Sequence, residues 1–153
     1  MRLTTSAALL LVISSSTAFA QAPVTSRNDV KWGPAPGVFA PGAQMAVLEG
    51  DPSGNKLFTV RLRFPNNYKI MPHTHPTDEN VTVIAGEFIV GMGDKVDTKT
   101  ALTLKTGGFV TAPAGHSHYG IARGETIVQV HAMGPFALTY VNPADNPAAG
   151  ASH

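Results

Sequence analysis

Two histidine pairs, each with one residue between its members, carry the chemistry that this sequence can perform. The first is His73-Thr74-His75, and Glu79 follows four residues later. Side chains two apart on a β-strand point to the same face, so both imidazoles can converge on one ion. Glu79 shares their parity, although Pro76-Thr77-Asp78 can bend the chain between them. Two imidazoles and a carboxylate suit manganese, iron, nickel, copper or zinc better than magnesium or calcium.

The second pair, His116 and His118, follows Pro113-Ala114-Gly115, a sequence that favours a turn into a new strand. A metal site inside a sheet needs a ligand from a distant segment, because one strand covers only one side of an ion. An isolated His-x-His pair is often just part of a solvated strand face. Here the acid of matching parity and the second histidine group favour a metal site.

Short runs of β-branched and apolar residues, separated by Gly, Pro, Asn or Asp, predict an all-β domain. Gly86-Glu87 predicts a tight hairpin turn between two of these runs. Many short strands at this spacing favour a sandwich or a barrel. The predicted strands are residues 46–48, 57–64, 81–84, 88–92, 101–104, 109–112, 126–130 and 136–141.

The two ends of the chain differ from this middle part. Residues 1–20 begin with Arg2, continue with an apolar run and end in Ala18-Phe19-Ala20, which predicts a signal peptide and a periplasmic or secreted protein. Residues 21–44 are rich in Pro and Gly and predict an irregular arm, with Trp32 and Phe39 as its anchors. Residues 45–142 form the predicted domain, and residues 143–153 a flexible tail.

Composition excludes several classes of function. The chain has no cysteine, so disulfides, thiolate nucleophiles and Cys-based zinc sites are excluded. Without residues 1–20, which contain Arg2 and no acid, ten Lys and Arg balance ten Asp and Glu. Nucleic acids and anionic membranes are therefore poor candidates for partners. The apolar run is also too short to span a membrane, which takes about 20 residues.

Two segments resemble the conserved motifs of the cupin superfamily. Residues 67–86 resemble Gly-x5-His-x-His-x3-Glu-x6-Gly, except that Asn67 replaces the first Gly. Residues 107–122 resemble Gly-x5-Pro-x-Gly-x2-His-x3-Asn, except that Ala122 replaces the last Asn. Asn tolerates the turn conformations that Gly serves, so the first departure is mild. The chain is similar to small single-domain bacterial cupins with a signal peptide. This resemblance implies a single jelly-roll β-barrel whose metal ion is held by His73, His75, Glu79 and His118.

Two further histidines are candidates for catalysis beside the ion. His116 shares the parity of His118, but the turn at Gly115 leaves its position open between the ion and the rim. His131 and Gln129 share one face of a predicted strand, and the valines between them occupy the other. If His131 faces inward, its ordinary pKa of about 6.5 suits a general base.

Four ligands leave up to two positions open on an octahedral ion, and open positions are typical of catalytic sites. With iron, one position could take O2 and the other a substrate oxygen, so the resemblance favours a dioxygenase acting on a small molecule. With zinc, nickel or manganese, an isomerase, lyase or hydrolase is as good an interpretation. A non-catalytic periplasmic module that binds a small ligand or metal, or a structural barrel with a vestigial site, remains the alternative. A homodimer formed through sheet edges is possible.

Overall fold

The computed structural model describes residue 26 and residues 29–150. The predicted signal peptide and the last three residues of the predicted tail lie outside the described residues. Within the described part of the chain there is no α-helix, and no helix is long and apolar enough to cross a membrane. The all-β prediction is confirmed.

Nine antiparallel strands build one curled sheet. They are β1 Gly33–Pro34, β2 Gln44–Glu49, β3 Leu57–Phe64, β4 Lys69–Thr74, β5 Glu79–Met92, β6 Leu102–Lys105, β7 Phe109–Ala112, β8 His118–Met133 and β9 Thr139–Tyr140. Within the predicted tail, short 3-10 turns lie at Pro143–Asp145 and Pro147–Gly150.

The long strand β8 organises the sheet. Along one edge it pairs with β5 from His118 to Ala132. Its other edge pairs with β4 near the start and with β3 over the second half. The sheet continues from β3 into β2 and β1, from β4 into β9, and from β5 into β6 and β7. The sheet therefore wraps around one inner face and forms a barrel.

The inner face is the hydrophobic core. On β3, Phe58, Val60, Leu62 and Phe64 are all almost fully buried and alternate with side chains that point outward, as the two-residue period of a strand requires. Burial of each such side chain contributes about 1.5–3 kcal/mol to folding. The inner residues of the neighbouring strands complete the same cluster.

The predicted hairpin at Gly86-Glu87 is wrong. The chain continues through this point as the single strand β5, and its register against β8 shifts on both sides of Ala85. Gly86 has a φ of +78°, and a Cβ there would run into the carbonyl oxygen of Glu125. The glycine therefore marks a β-bulge, which has the same local signal as a turn but bends a strand without ending it.

Asn67 replaces the first Gly of the cupin motif, and it adopts the left-handed turn conformation that a Gly at this position would serve. Asn67 adopts a φ of +62°, and its backbone N–H donates to the carbonyl oxygen of Ala122. Asn is among the few residues that tolerate this left-handed region. The two departing positions therefore join the start of β4 to β8, at the end of this pairing that lies away from His73 and His118.

Candidate metal centre

Three strand ends bring the candidate ligands together. His73 lies on β4 and His75 one residue beyond it, Glu79 opens β5, and His118 opens β8. His73 pairs directly with His118 across the strands. The four residues are between 4% and 7% exposed, although all are polar and the surrounding core is apolar. Burial of polar groups at this level requires compensating partners.

The side chains converge through their far atoms. The Nε2 atoms of His73 and His75 lie 3.1 Å apart. The Oε2 atom of Glu79 lies 3.3 Å from Nε2 of His118 and 3.5 Å from Nε2 of His75. Ligand atoms of the three histidines all lie within 4.8 Å of one another, which is close enough for one metal ion to reach all three.

The opposite nitrogen of each ring is held by a backbone carbonyl. Nδ1 of His73 lies 2.7 Å from the carbonyl oxygen of Met71, Nδ1 of His75 lies 2.8 Å from that of Ala137, and Nδ1 of His118 lies 3.1 Å from that of His116. A carbonyl only accepts, so each Nδ1 carries the hydrogen and a neutral ring presents an Nε2 lone pair to the centre. Ligating histidines show this same arrangement, and the donor set therefore fits a metal ion.

The electrostatics of the cluster also favour a cation. Burial, with help from His118 and His75, lowers the pKa of His73 to about 3, so its ring is neutral near pH 7. Burial raises the pKa of Glu79, but hydrogen bonds from Nε2 of His118 and His75, which these rings donate when they are protonated, outweigh it and hold that pKa well below its usual range. Burial likewise lowers the pKa of His75, and the hydrogen bond and charge of Glu79 reverse this into a net rise. One buried negative charge thus faces three imidazoles.

The cluster lines a small cavity inside the barrel. Its volume is about 30 Å³, above the roughly 10–15 Å³ that a cavity needs to hold one water molecule. Among the described residues that line it, the candidate ligands are the only ones with polar side chains. The remaining lining residues are Phe39, Leu62, Phe64, Ile70, Val81, Phe88, Val90, Val110, Ala112, Gly120, Val128, Val130, Phe136 and Leu138.

Comparison with known families assigns the chain. The model of a family described as a domain of unknown function, DUF4437, matches residues 18–139. The chain belongs to the DUF4437 family. No curated protein matches it significantly.

Solved structures show that this DUF4437 protein has the cupin fold, as the two motifs predict. An RmlC-like cupin from Shewanella frigidimarina is 18% identical, with a TM-score of 0.57 over 71% of this chain and 87% of that one. The polyketide cyclase RemF from Streptomyces resistomycificus is 18% identical, with a TM-score of 0.67 over 83% and 90%. A candidate acetylacetone dioxygenase from Methylibium petroleiphilum is 18% identical, with a TM-score of 0.63 over 86% and 88%.

The position of His131 follows from the register of β8 in this cupin. Val128 and Val130 face the cavity, so Gln129 and His131 face outward. His131 is exposed, and its Nδ1 lies 2.8 Å from Oγ1 of Thr59 on the outer surface. The alternative that placed His131 in the barrel as a base near the ion is therefore wrong.

His116 is also separated from the cavity. It lies in the loop before β8, its ring is exposed, and its Nδ1 lies 3.2 Å from the carbonyl oxygen of Ala114. The backbone carbonyl of His116 contacts Nδ1 of His118 and so orients the ring of that proposed ligand. The rim interpretation describes its side chain, and a catalytic role beside the ion has no support in this geometry.

The segment after β8 supports the cluster in a way that sequence patterns did not reveal. The ring of Phe136 stacks on His75 with centroids 5.4 Å apart and planes 16° from parallel, and the next residue, Ala137, holds Nδ1 of the same histidine. Tyr140 lies 5.9 Å from the ring of His73. A backbone carbonyl has no sequence signature, so these contacts emerge only from the fold.

Proposed function

We propose that this cupin binds one divalent transition-metal ion through His73, His75, Glu79 and His118, and that it oxidises a small molecule in a dioxygenase-like reaction. The observation that carries the proposal is the convergence of three Nε2 atoms whose Nδ1 partners are all carbonyl oxygens. Lone pairs aimed at one point repel each other, and a cation relieves that repulsion. A bound ion would supply Lewis acidity and, if it is iron, a site for O2.

Oxidation is favoured over proton-transfer chemistry by what the cavity lacks. Isomerases and lyases need a side chain that moves a proton, within hydrogen-bond reach of the substrate. Among the described residues that line the cavity, every titratable group belongs to the proposed ligand set. If a bound ion activated both O2 and substrate, the protein would mainly have to position the substrate and exclude water. The fold shared with the candidate acetylacetone dioxygenase is consistent with this class.

A second candidate function is a non-catalytic metal-binding module. The small volume of the cavity favours it, because about 30 Å³ leaves little space for a substrate beside an ion. The two candidates share the ligand set and differ in turnover, so one experiment separates them.

The test begins with protein purified without added metal and analysed for its elements. The metal-free protein is then loaded in turn with iron(II), manganese, nickel, copper or zinc, and oxygen consumption is measured with enolic and phenolic compounds. We expect one equivalent of metal and oxygen uptake with the iron-loaded protein, both lost in His118→Ala and both kept in His131→Gln. Metal binding without oxygen uptake for any compound would contradict the dioxygenase proposal and support the non-catalytic binding module. Absence of metal binding would rule out both candidates.

A further inference from the structure

A second cavity lies on the outer face of the barrel and shares no described lining residue with the proposed metal centre. Its volume is about 500 Å³, within the roughly 300–1,000 Å³ that is usual for small-molecule sites. Strands β3, β5 and β8 contribute its floor beside the bulge at Gly86, and Trp32 of the arm forms one wall. This outer cavity therefore has space for a small molecule, which the inner cavity of about 30 Å³ lacks.

Two arginines line this outer cavity from β3. Arg61 and Arg63 flank Leu62, which is buried in the core, so both point away from the barrel interior, about 6–7 Å apart along the strand. Among the described residues, neither guanidinium forms an ion pair with a carboxylate. Like charges at this separation repel each other, and a bound anion would remove the repulsion.

Both arginine side chains are held in place by uncharged groups. Nε of Arg61 donates to Oε1 of Gln129 at 3.1 Å. The guanidinium carbon of Arg63 lies 4.5 Å from the centroid of the Trp32 ring, a cation–π contact that attracts its charge. Nε of Arg63 is buried and has no hydrogen-bond partner among the described residues. Side chains that are ordered before a ligand arrives lose less conformational entropy on binding, so the pair is suited to hold an anion.

The charges of the outer cavity limit the charge of its ligand. Glu125, which is exposed, is the only acid among the described residues that line it, so two arginines and one glutamate sum to one positive charge. A monoanion balances this sum, whereas a second negative charge would be unbalanced and opposed by Glu125. Planar guanidinium groups match the two oxygens of a carboxylate. The side chains of Trp32, Ile84 and Ile127 supply apolar surface beside these charges.

We infer that the outer cavity binds a small organic anion with one carboxylate and an apolar body, and that Arg61 and Arg63 hold the carboxylate. This site is separate from the proposed metal centre and needs no metal ion. Trp32 is the only tryptophan of the chain, so its fluorescence reports on this cavity. The chain therefore carries its own reporter for the ligand.

The experiment titrates the purified chain with benzoate, benzamide and inorganic phosphate. Binding is followed by the fluorescence of Trp32 and, as a second readout, by isothermal titration calorimetry. Benzamide has the ring and the shape of benzoate but no charge, and one charged hydrogen bond contributes enough for benzoate to bind at least about tenfold more tightly. Benzoate should also bind more tightly than phosphate, which carries up to two charges near neutral pH. The affinity for benzoate should be the same before and after metal is removed by dialysis.

Variants of the two arginines address the site directly. Arg61→Gln and Arg63→Gln should each weaken benzoate binding by about tenfold, because each removes one charged partner of the carboxylate. Arg61→Gln leaves the contact between Arg63 and Trp32 in place, so its effect separates anion binding from anchoring of the arm. Arg61→Lys keeps the charge but not the planar fork, and its affinity should lie between those of the natural chain and Arg61→Gln. Arg123→Gln is the matched control: Arg123 is exposed, contacts Glu87 and does not line the cavity, so the affinity should stay within about twofold.

Several outcomes would overturn this inference. They are equal binding of benzoate and benzamide, tighter binding of phosphate than of benzoate, unchanged benzoate affinity in both glutamine variants, and an equal loss in Arg123→Gln. Loss of benzoate binding on removal of metal would mean that the ligand occupies the metal centre, and the inference would again be wrong. None of these outcomes contradicts the proposed metal site, and failure of metal binding would leave the inference standing.

Discussion

The two histidine pairs have the same spacing but differ in how many of their side chains are buried. His73 and His75 are both buried and meet at one point, whereas His118 is buried and His116 is exposed. Both pairs straddle the end of a strand, since His75 lies one residue after β4 and His116 two residues before β8. Strand parity alone therefore does not explain why His75 turns inward and His116 does not.

The difference lies in the partner of Nδ1. His75 is held by Ala137, 62 positions away, and its ring is covered by Phe136. Among the described residues, the partner of Nδ1 of His116 is the carbonyl of Ala114 in its own loop, beside the turn at Gly115. A residue beyond the end of a strand keeps its inward direction when another segment fixes it. His73 and His118 lie within strands and need only local carbonyls, whereas beyond a strand end the contacts with a second segment, more than the spacing, decide whether a histidine turns inward.

The largest expected effect comes from alanine substitutions in the two pairs. His75→Ala should weaken metal binding by about 100-fold or more, because loss of a ligand exceeds the 10–100-fold that loss of a supporting contact costs. His116→Ala should leave metal affinity within about twofold, because the carbonyl that holds His118 is part of the backbone. Competition with a chelator of known affinity measures both.

The same pair of variants has a consequence for thermal stability. A ligand that binds only the folded state stabilises it in proportion to the logarithm of its concentration over its dissociation constant. Added metal should therefore raise the melting temperature of the natural chain and of His116→Ala, but not that of His75→Ala. An equal rise in all three proteins would remove His75 from the ligand set.

The sequence predicts the cluster better than its surroundings. The spacing of His73, His75, Glu79 and His118 matches a motif, and each lies where a strand begins or ends. The β4 strand was absent from the strands predicted from composition, because Pro72 interrupts its β-pattern and proline is unfavourable inside sheets. Phe39 was predicted only as an anchor of the arm. Its place in the cavity wall depends on hydrogen bonds that Tyr68 and Tyr140 donate to the carbonyl oxygens of Ala40 and Val38 on either side of it, which no local pattern encodes.

An intermediate effect is expected from pH, because protons compete with the metal for Nε2. His75 has a raised pKa, so it takes up a proton before His73, whose pKa is about 3. As pH falls, this proton displaces the ion, whereas the lowered pKa of Glu79 keeps its carboxylate charged. Metal affinity should fall by at least about tenfold between pH 7.5 and pH 5, measured by equilibrium dialysis.

The variant Glu79→Gln tests whether protonation of His75 controls the pH dependence of metal binding. Glu79 is the group that raises the pKa of His75 against the opposing effect of burial. Without the carboxylate, metal binding should be weaker at every pH, but the pH below which the affinity begins to fall should be lower. If this pH stays the same in Glu79→Gln, protonation of His75 does not control release.

The smallest effect is expected on the outer face of β8. His131→Ala removes a contact at 2.8 Å between the exposed ring of His131 and the buried hydroxyl of Thr59, so it should cost about 1–3 kcal/mol in urea denaturation. Metal affinity should stay within about twofold of the natural chain, because Val130 and not His131 faces the cavity. A slip of one residue in the pairing of β8 would reverse every side chain on the strand and bring His131 inside. A marked loss of metal in His131→Ala would therefore contradict the register of β8, and with it the separation between the two faces of the barrel.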